Sequence, residues 1–320
     1  MRRPRLLITR PLPEPVHARA AALFDLTIRK ETGPTTAADL SAALRDHDAI
    51  LPSLGDVFSS DVFAGAPAPR CRILANFGVG VSHIDLAAAA GAGIAVTNTP
   101  GAVTGPTADI AMLLLLMTAR RAGEGERLVR SGTWQGWHPV QLLGQDVYGS
   151  TVGIVGMGRI GQEVARRAAA GFGMRVLFHN RSPKAVPGVE AEQVPLDDLL
   201  QRADFIVLTV PGGSETRHLI DAHAFALMRP HTHLINVSRG EVVDEAALIR
   251  ALESRQIAGA ALDVYEFEPA VPAALRERDD VVLLPHLGSA TRAAREGMGM
   301  TALDNLEAFF LGRVPENKVA

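Results

Sequence analysis

Almost half of the 320 residues are apolar, and 35 acidic side chains stand against 32 basic ones for a formal net charge of −3. A chain this long has room for two α/β domains with ample core, and its charge balance argues against a nucleic-acid partner. The single cysteine, Cys71, excludes an intramolecular disulfide and a cysteine metal cluster, and no metal site is expected.

The basic start Met1–Arg5 is followed by an apolar run, Leu6–Ile8, that is too short for a signal peptide. Ile110–Met117 likewise falls short of the roughly 20 residues of a membrane span, so a cytoplasmic protein with no membrane partner is expected. Short apolar strands are predicted at Arg5–Thr9, Asp25–Ile28, Ala49–Leu51, Arg72–Ala75 and Ile94–Val96. Helical patterns separate them: Pro13–Leu23, Ala37–Arg45 behind a Thr36 cap, and Ile84–Ala90 with Gly91 at its C-cap. From about Pro106 to Arg121 runs a helix that is apolar nearly all round, which predicts burial between domains or subunits. Ala122–Ser150, holding Trp134 and Trp137, reads as a short helix plus an arm.

A second α/β series follows, with six strands at Thr151–Val155, Arg175–Phe178, Phe205–Thr209, Leu234–Asn236, Gly259–Leu262 and Val281–Leu284. Its helices are expected at Arg159–Ala170, Leu196–Gln201, Ala222–Leu227 and, capped by Asp244, Glu245–Glu253. A last helix, Thr291–Leu311, is long enough to return to the first domain.

The first strand of that series runs into Gly156-Met157-Gly158-Arg159-Ile160-Gly161. A strand, a Gly-x-Gly-x-x-Gly turn and a helix N-terminus make the arrangement that cradles a dinucleotide pyrophosphate. The expected fold is therefore α/β with two doubly wound parallel sheets. A Rossmann cofactor domain, 99–287, is inserted in a discontinuous, flavodoxin-like substrate domain, 1–98 and 288–320. Three later segments each put polar groups just after a strand, where α/β ligands bind: Asn236–Gly240 with Arg239, Asp263–Pro269 with Glu266 and Glu268, and Pro285–Ser289 with His286. An arginine there can grip a carboxylate with two prongs. The remaining histidines, His231 and His233 included, lack metal-ligand spacing.

With these segments, in this order and spacing, the chain resembles the D-isomer-specific 2-hydroxyacid dehydrogenases, and within them the glyoxylate/hydroxypyruvate reductases. The resemblance spans essentially the whole chain. It implies catalytic roles for Arg239, Glu268 and His286: the histidine as general acid, Glu268 as its carboxylate partner, and Arg239 as anchor for the substrate carboxylate and polariser of the carbonyl. It also implies that the loop Asn76–Gly80 binds the substrate carboxylate through backbone N–H groups at Val79 and Gly80, with Ser289 nearby. Leu54, with Gly55, is expected in the pocket wall. Phosphite-oxidising relatives carry Lys where Val79 falls, which disfavours that chemistry. Asn98–Thr104 and Trp134-Gln135-Gly136-Trp137 support the subgroup, and the latter implies that Trp137 enters the partner subunit's active site in a homodimer. Cofactor contacts implied in the same way are Arg159, Ile160, Pro211, Thr216, Val237, Asp263, Gly288 and Thr104, beside Gly156, Gly158 and Gly161.

The residues themselves indicate which nicotinamide cofactor. The second Rossmann strand ends in Phe178-His179-Asn180-Arg181-Ser182, without the carboxylate that would hold a ribose 2′-OH. Arg181, with Asn180, Ser182 and Lys184 at hand, would instead attract a 2′-phosphate, so NADP(H) is expected to be preferred over NAD(H). The expected activity is NADPH-dependent reduction of small 2-oxo acids, glyoxylate or hydroxypyruvate, to D-2-hydroxy acids. The alternatives are another D-2-hydroxyacid dehydrogenase (D-lactate, phosphoglycerate or aryl-pyruvate) and a nicotinamide-sensing binding protein without turnover.

Overall fold

The computed structural model describes residues 2–320; residue 1, which opens the basic start, lies outside the described residues. The chain divides into two compact units: everything up to Val103 together with Ser289–Ala320, and Thr104–Gly288 between them.

Five strands make the sheet of the first unit: β1 (Arg5–Ile8), β2 (Asp25–Ile28), β3 (Ala49–Leu51), β4 (Ile73–Ala75) and β5 (Ala95–Thr97). All pair in parallel in the order β2-β1-β3-β4-β5, the flavodoxin-like arrangement. β3 and β4 are continuous apolar triplets because both faces are covered. Leu6, Ile8, Ala49, Leu51, Ile73 and Ala75 pack on one face beneath the helices Glu14–Leu23 and Arg292–Phe310. The alternate residues Ile50 and Leu74 pack on the other, with Leu40 and Leu44 of the helix Ala37–Asp46. Cys71 belongs to this second face, and burial pushes its thiol up to about 12, so it acts as a small apolar residue.

The helix expected to stop at Gly91 spans Leu86–Gly91, with Ala92 as its cap. Gly93, at φ +71°, makes the left-handed turn instead, so the cap lies beyond the expected position. Thr36 and Asp244 cap their helices as expected, each side chain accepting from the N–H three residues on. A short helix, Ser60–Ala64, was not foreseen.

Seven parallel strands form the sheet of the second unit: β6 (Thr151–Val155), β7 (Arg175–His179), β8 (Ala191–Gln193), β9 (Phe205–Leu208), β10 (His233–Asn236), β11 (Gly259–Leu262) and β12 (Val281–Leu283). Their order is β12-β11-β10-β9-β6-β7-β8, one strand more than the six expected. Within β9, Ile206 and Leu208 face the helices Leu196–Arg202, Ala222–Leu227 and Glu245–Glu253, while Phe205 and Val207 face Thr104–Ala119 and Arg159–Phe172. The helix Thr104–Ala119 buries Thr107, Ala108, Ala111, Met112, Leu114, Leu115 and Thr118. Its opposite stripe is apolar too, and Leu113 there is 44% exposed. The helix Ala122–Arg130 follows, and then an arm without strand or helix up to β6.

Candidate active site

β6 ends at Val155, and Gly156 turns the chain at φ +98°. A Cβ there would come within 2.8 Å of Val210 Cγ1, and one on Gly161 within 2.2 Å of the Gly156 carbonyl oxygen. Only glycines let the helix Arg159–Phe172 start against this turn. Gly158 is its N-cap, and the first turn carries no acidic side chain. The N–H groups of that turn, with the positive end of the helix dipole, therefore form an anion cradle.

Two further loops surround the cradle. After β7, Asn180 accepts from Met157 N–H at 3.2 Å and donates through Nδ2 to the Ser182 carbonyl at 2.9 Å. Gln193, at the end of the unforeseen β8, donates to the carbonyls of both Asn180 and Ser182. Arg181 stands out from this held loop and pairs with Glu215. After β9, Thr216 Oγ1 donates to the Pro211 carbonyl at 2.7 Å, and Gly213 N–H to Glu241 at 2.8 Å. The residues fit a dinucleotide: an open helix N-terminus for the pyrophosphate, and a polar loop without a carboxylate of its own at the end of β7.

Arg239, Glu268 and His286 follow β10, β11 and β12 of the same sheet. His286 Nδ1 lies 3.0 Å from Glu268 Oε2. Burial alone would raise the Glu268 carboxyl. Its hydrogen bond and charge interaction with His286, the Tyr265 N–H at 3.0 Å and the charge of Arg239 outweigh that, and its pKa lies below the ordinary value. Burial pulls the Arg239 guanidinium down from its usual value, with Glu268 and Glu241 acting in the opposite sense. The site thus holds a fixed cation, a carboxylate and an imidazole with its Nδ1 side committed. The other acidic residue of the segment is occupied elsewhere: Glu266 takes His218 Nε2 at 2.7 Å and Arg217 Nη2 at 3.0 Å.

Asp263 does more than sequence reasoning assigned. Its carboxylate accepts from Leu287 N–H at 2.6 Å and Gly288 N–H at 2.8 Å, and its carbonyl from His286 N–H at 2.9 Å. These bonds hold His286 in the left-handed region at φ +55°, a conformation uncommon outside glycine. Gly288 is gripped from the other side by Thr107 Oγ1 at 3.0 Å, one helical turn into the helix that Thr104 opens. Val237 packs in the core of the sheet face.

In the first unit, the loop Asn76–Gly80 follows β4. Asn76 Nδ2 donates to the carbonyls of Gly78 and Gly80 at 3.1 and 3.0 Å, and Asn98 Nδ2 to that of Val79 at 2.8 Å. The loop's carbonyls are thereby tied down by Asn76 and Asn98, and Val79 is 40% exposed. Ser53 bridges to Phe77 beside it, and Leu54 Cδ2 would lie 3.5 Å from a Cβ on Gly78. The turn that carries Leu54 is held by buried Asp56, which takes Arg10 Nη1 at 2.9 Å, Thr35 Oγ1 at 2.7 Å and Ser53 N–H at 3.1 Å. Sequence reasoning had no signal for Asp56. Ser289 begins the return of the chain to this unit. Trp137, in the arm of the second unit, is 80% exposed.

A nucleotide cradle and an imidazole–carboxylate–guanidinium set at the C-terminal ends of one parallel sheet define a nicotinamide-dependent oxidoreductase class, and comparison with known proteins agrees. The chain belongs to the D-isomer-specific 2-hydroxyacid dehydrogenases: residues 112–288 match the NAD binding domain of that family. It is 46% identical to a glyoxylate reductase of Thermococcus onnurineus over 99% of this chain and 96% of that one. With a glyoxylate reductase of Pyrococcus horikoshii it shares 44% identity, again over 99% and 96%. Among solved structures, an NADPH-dependent glyoxylate/hydroxypyruvate reductase of Sinorhizobium meliloti, in complex with NADP and malonate, is 37% identical with a TM-score of 0.88, covering 99% of this chain and 97% of that one. Among the described residues, no helix is long and apolar enough to cross a membrane.

Proposed function

We propose that the protein reduces small 2-oxo acids, glyoxylate and hydroxypyruvate first, to D-2-hydroxy acids with NADPH. The observation that carries this reading is the 3.0 Å contact of His286 with Glu268, on the sheet that also presents Arg239 and the anion cradle. A bound nicotinamide dinucleotide supplies the hydride. His286, its Nδ1 held by Glu268, delivers a proton from Nε2 to the carbonyl oxygen as charge develops there. Arg239 anchors the acid and stabilises that charge. Val79 and Gly80 offer N–H groups to the substrate carboxylate, since the carbonyls of their loop are already engaged. Leu54, Ser289 and, from a partner subunit, Trp137 would limit substrate size.

Preference for NADP(H) rests on Arg181, with Asn180 and Ser182, where a carboxylate would select NAD(H). The cofactor contacts proposed are Gly156, Gly158, Arg159, Ile160 and Gly161 at the pyrophosphate, Pro211 and Thr216 on the adenosine side, and Val237, Asp263, Gly288 and Thr104 toward the nicotinamide. A homodimer is proposed because Leu113, Val129, Trp137, Val140, Leu143 and Tyr148 leave much apolar side chain exposed over one stretch of chain.

Initial rates of nicotinamide absorbance test the reading, with NADPH and NADH crossed against glyoxylate, hydroxypyruvate, pyruvate and phenylpyruvate. Fast NADPH-linked turnover of the two smallest acids is expected. Faster turnover with NADH would overturn the cofactor assignment and keep the catalytic one. No turnover on any acid, with cofactor still bound, would move the protein to the sensing class.

A further inference from the structure

In the sheet of the second unit β6 lies between β7 and β9, and the loops leaving those two neighbours are joined by an ion pair: Arg181, after β7, with Glu215, after β9. Both loops are held independently of the pair. Asn180 and Gln193 fix the first, while Thr216 with Pro211, Glu241 with Gly213, and the Glu241 carbonyl with His218 N–H fix the second. The side chains themselves are 75% and 74% exposed. Such a pair is solvent-screened and gives way readily to a better partner. A ribose 2′-phosphate is one, with up to two negative charges and three acceptor oxygens for a guanidinium. Before Arg181 can take it, however, Glu215 has to release Arg181.

We propose that Glu215 is a specificity-determining residue for the cofactor: by occupying Arg181 it weakens binding of a 2′-phosphorylated nucleotide and leaves binding of an unphosphorylated one unaltered. Selectivity is a difference of affinities, and this carboxylate acts only on the arm that carries the phosphate. The proposal rests on Arg181 as the 2′-phosphate residue and is separable from it by experiment.

Calorimetric titration of the full chain with adenosine 2′,5′-bisphosphate and with 5′-AMP provides the test, using wild type, Glu215→Gln, Arg181→Ala and the double variant. Both positions are exposed, so folding is preserved. Glu215→Gln is expected to tighten the bisphosphate about threefold and to leave 5′-AMP unchanged, and that gain is expected to vanish in the Arg181→Ala background. An unchanged bisphosphate affinity in Glu215→Gln, with Arg181→Ala still weakened, overturns the role of Glu215 and retains that of Arg181. The same gain in both backgrounds also overturns it, because repulsion rather than capture of Arg181 would then be acting. If Arg181→Ala itself binds the bisphosphate as wild type does, the 2′-phosphate reading fails and takes this inference with it.

Discussion

His233 opens β10 with its imidazole stacked on Phe205, ring centroids 5.5 Å apart, and its Nδ1 3.0 Å from Thr118 Oγ1. Burial, aided by the charge of His231, lowers its pKa to about 4. Below about pH 6.5 the unfolded chain takes up a proton at this position that the folded chain refuses until about pH 4. The stabilisation is therefore complete above that window, is lost as pH falls through it, and changes no further below, a difference of about 3 kcal/mol at most. Urea unfolding at a series of pH values should show this slope in wild type. His233→Phe should be less stable at neutral pH, because Thr118 loses its partner, yet flatter across the window. Identical slopes would assign the titration to another group. Residue-scale reasoning from sequence had treated His233 only as a histidine without metal spacing. The residues alone offered two carboxylates after β11, and only the family resemblance assigned Glu268 to His286: Glu266 and Glu268 differ in side-chain direction, which is set by His218, Arg217 and Tyr265 rather than by spacing.

Asp263 links two elements, the loop after β11 and the loop after β12, and so holds the segment on which His286 stands. In Asp263→Asn, one side-chain oxygen still accepts an N–H, but the amide nitrogen faces the other as donor against donor. The left-handed backbone at His286 then loses part of its restraint. The expected result is a kcat for glyoxylate reduction lower by about 10²-fold, with a smaller change in the KM for NADPH. A variant with unchanged kcat would show that Thr107 and the backbone suffice to hold the segment. At this scale most of the fold was legible. Apolar runs marked eleven of the twelve strands among the described residues, to within two residues at their ends, and the capping side chains of Thr36 and Asp244 marked two helix starts. β8 escaped because Ala191-Glu192-Gln193, half exposed at the sheet edge, carries no apolar run. The helices Ser60–Ala64 and Ala273–Arg276 escaped because five and four residues are too few to display a period.

Across the whole molecule, exposed apolar side chains gather in the stretch from Leu113 to Tyr148, including Trp134 at 50% and Trp137 and Tyr148 at 80% or more. The all-round apolarity of the helix Thr104–Ala119 has the same origin: one stripe packs on the sheet, and the stripe with Leu113 does not. Large aromatic groups held out on an arm, next to an uncovered helix stripe, suit a second copy of the same chain, because an isologous interface needs only one such surface. Sedimentation equilibrium is expected to give twice the chain mass of 34.0 kDa. Leu113→Glu places a charge in the middle of the stripe and should shift the equilibrium toward the single chain by at least about tenfold in dissociation constant. Trp137→Ala separates two roles. If the side chain only packs, the variant dimerises more weakly and its kinetics at saturating protein match wild type. If it reaches the partner's substrate, the dimer persists and the kcat/KM ratio of hydroxypyruvate to phenylpyruvate changes. A wild-type protein that sediments as one chain would remove both roles, and Trp137 would then have no place in the pocket.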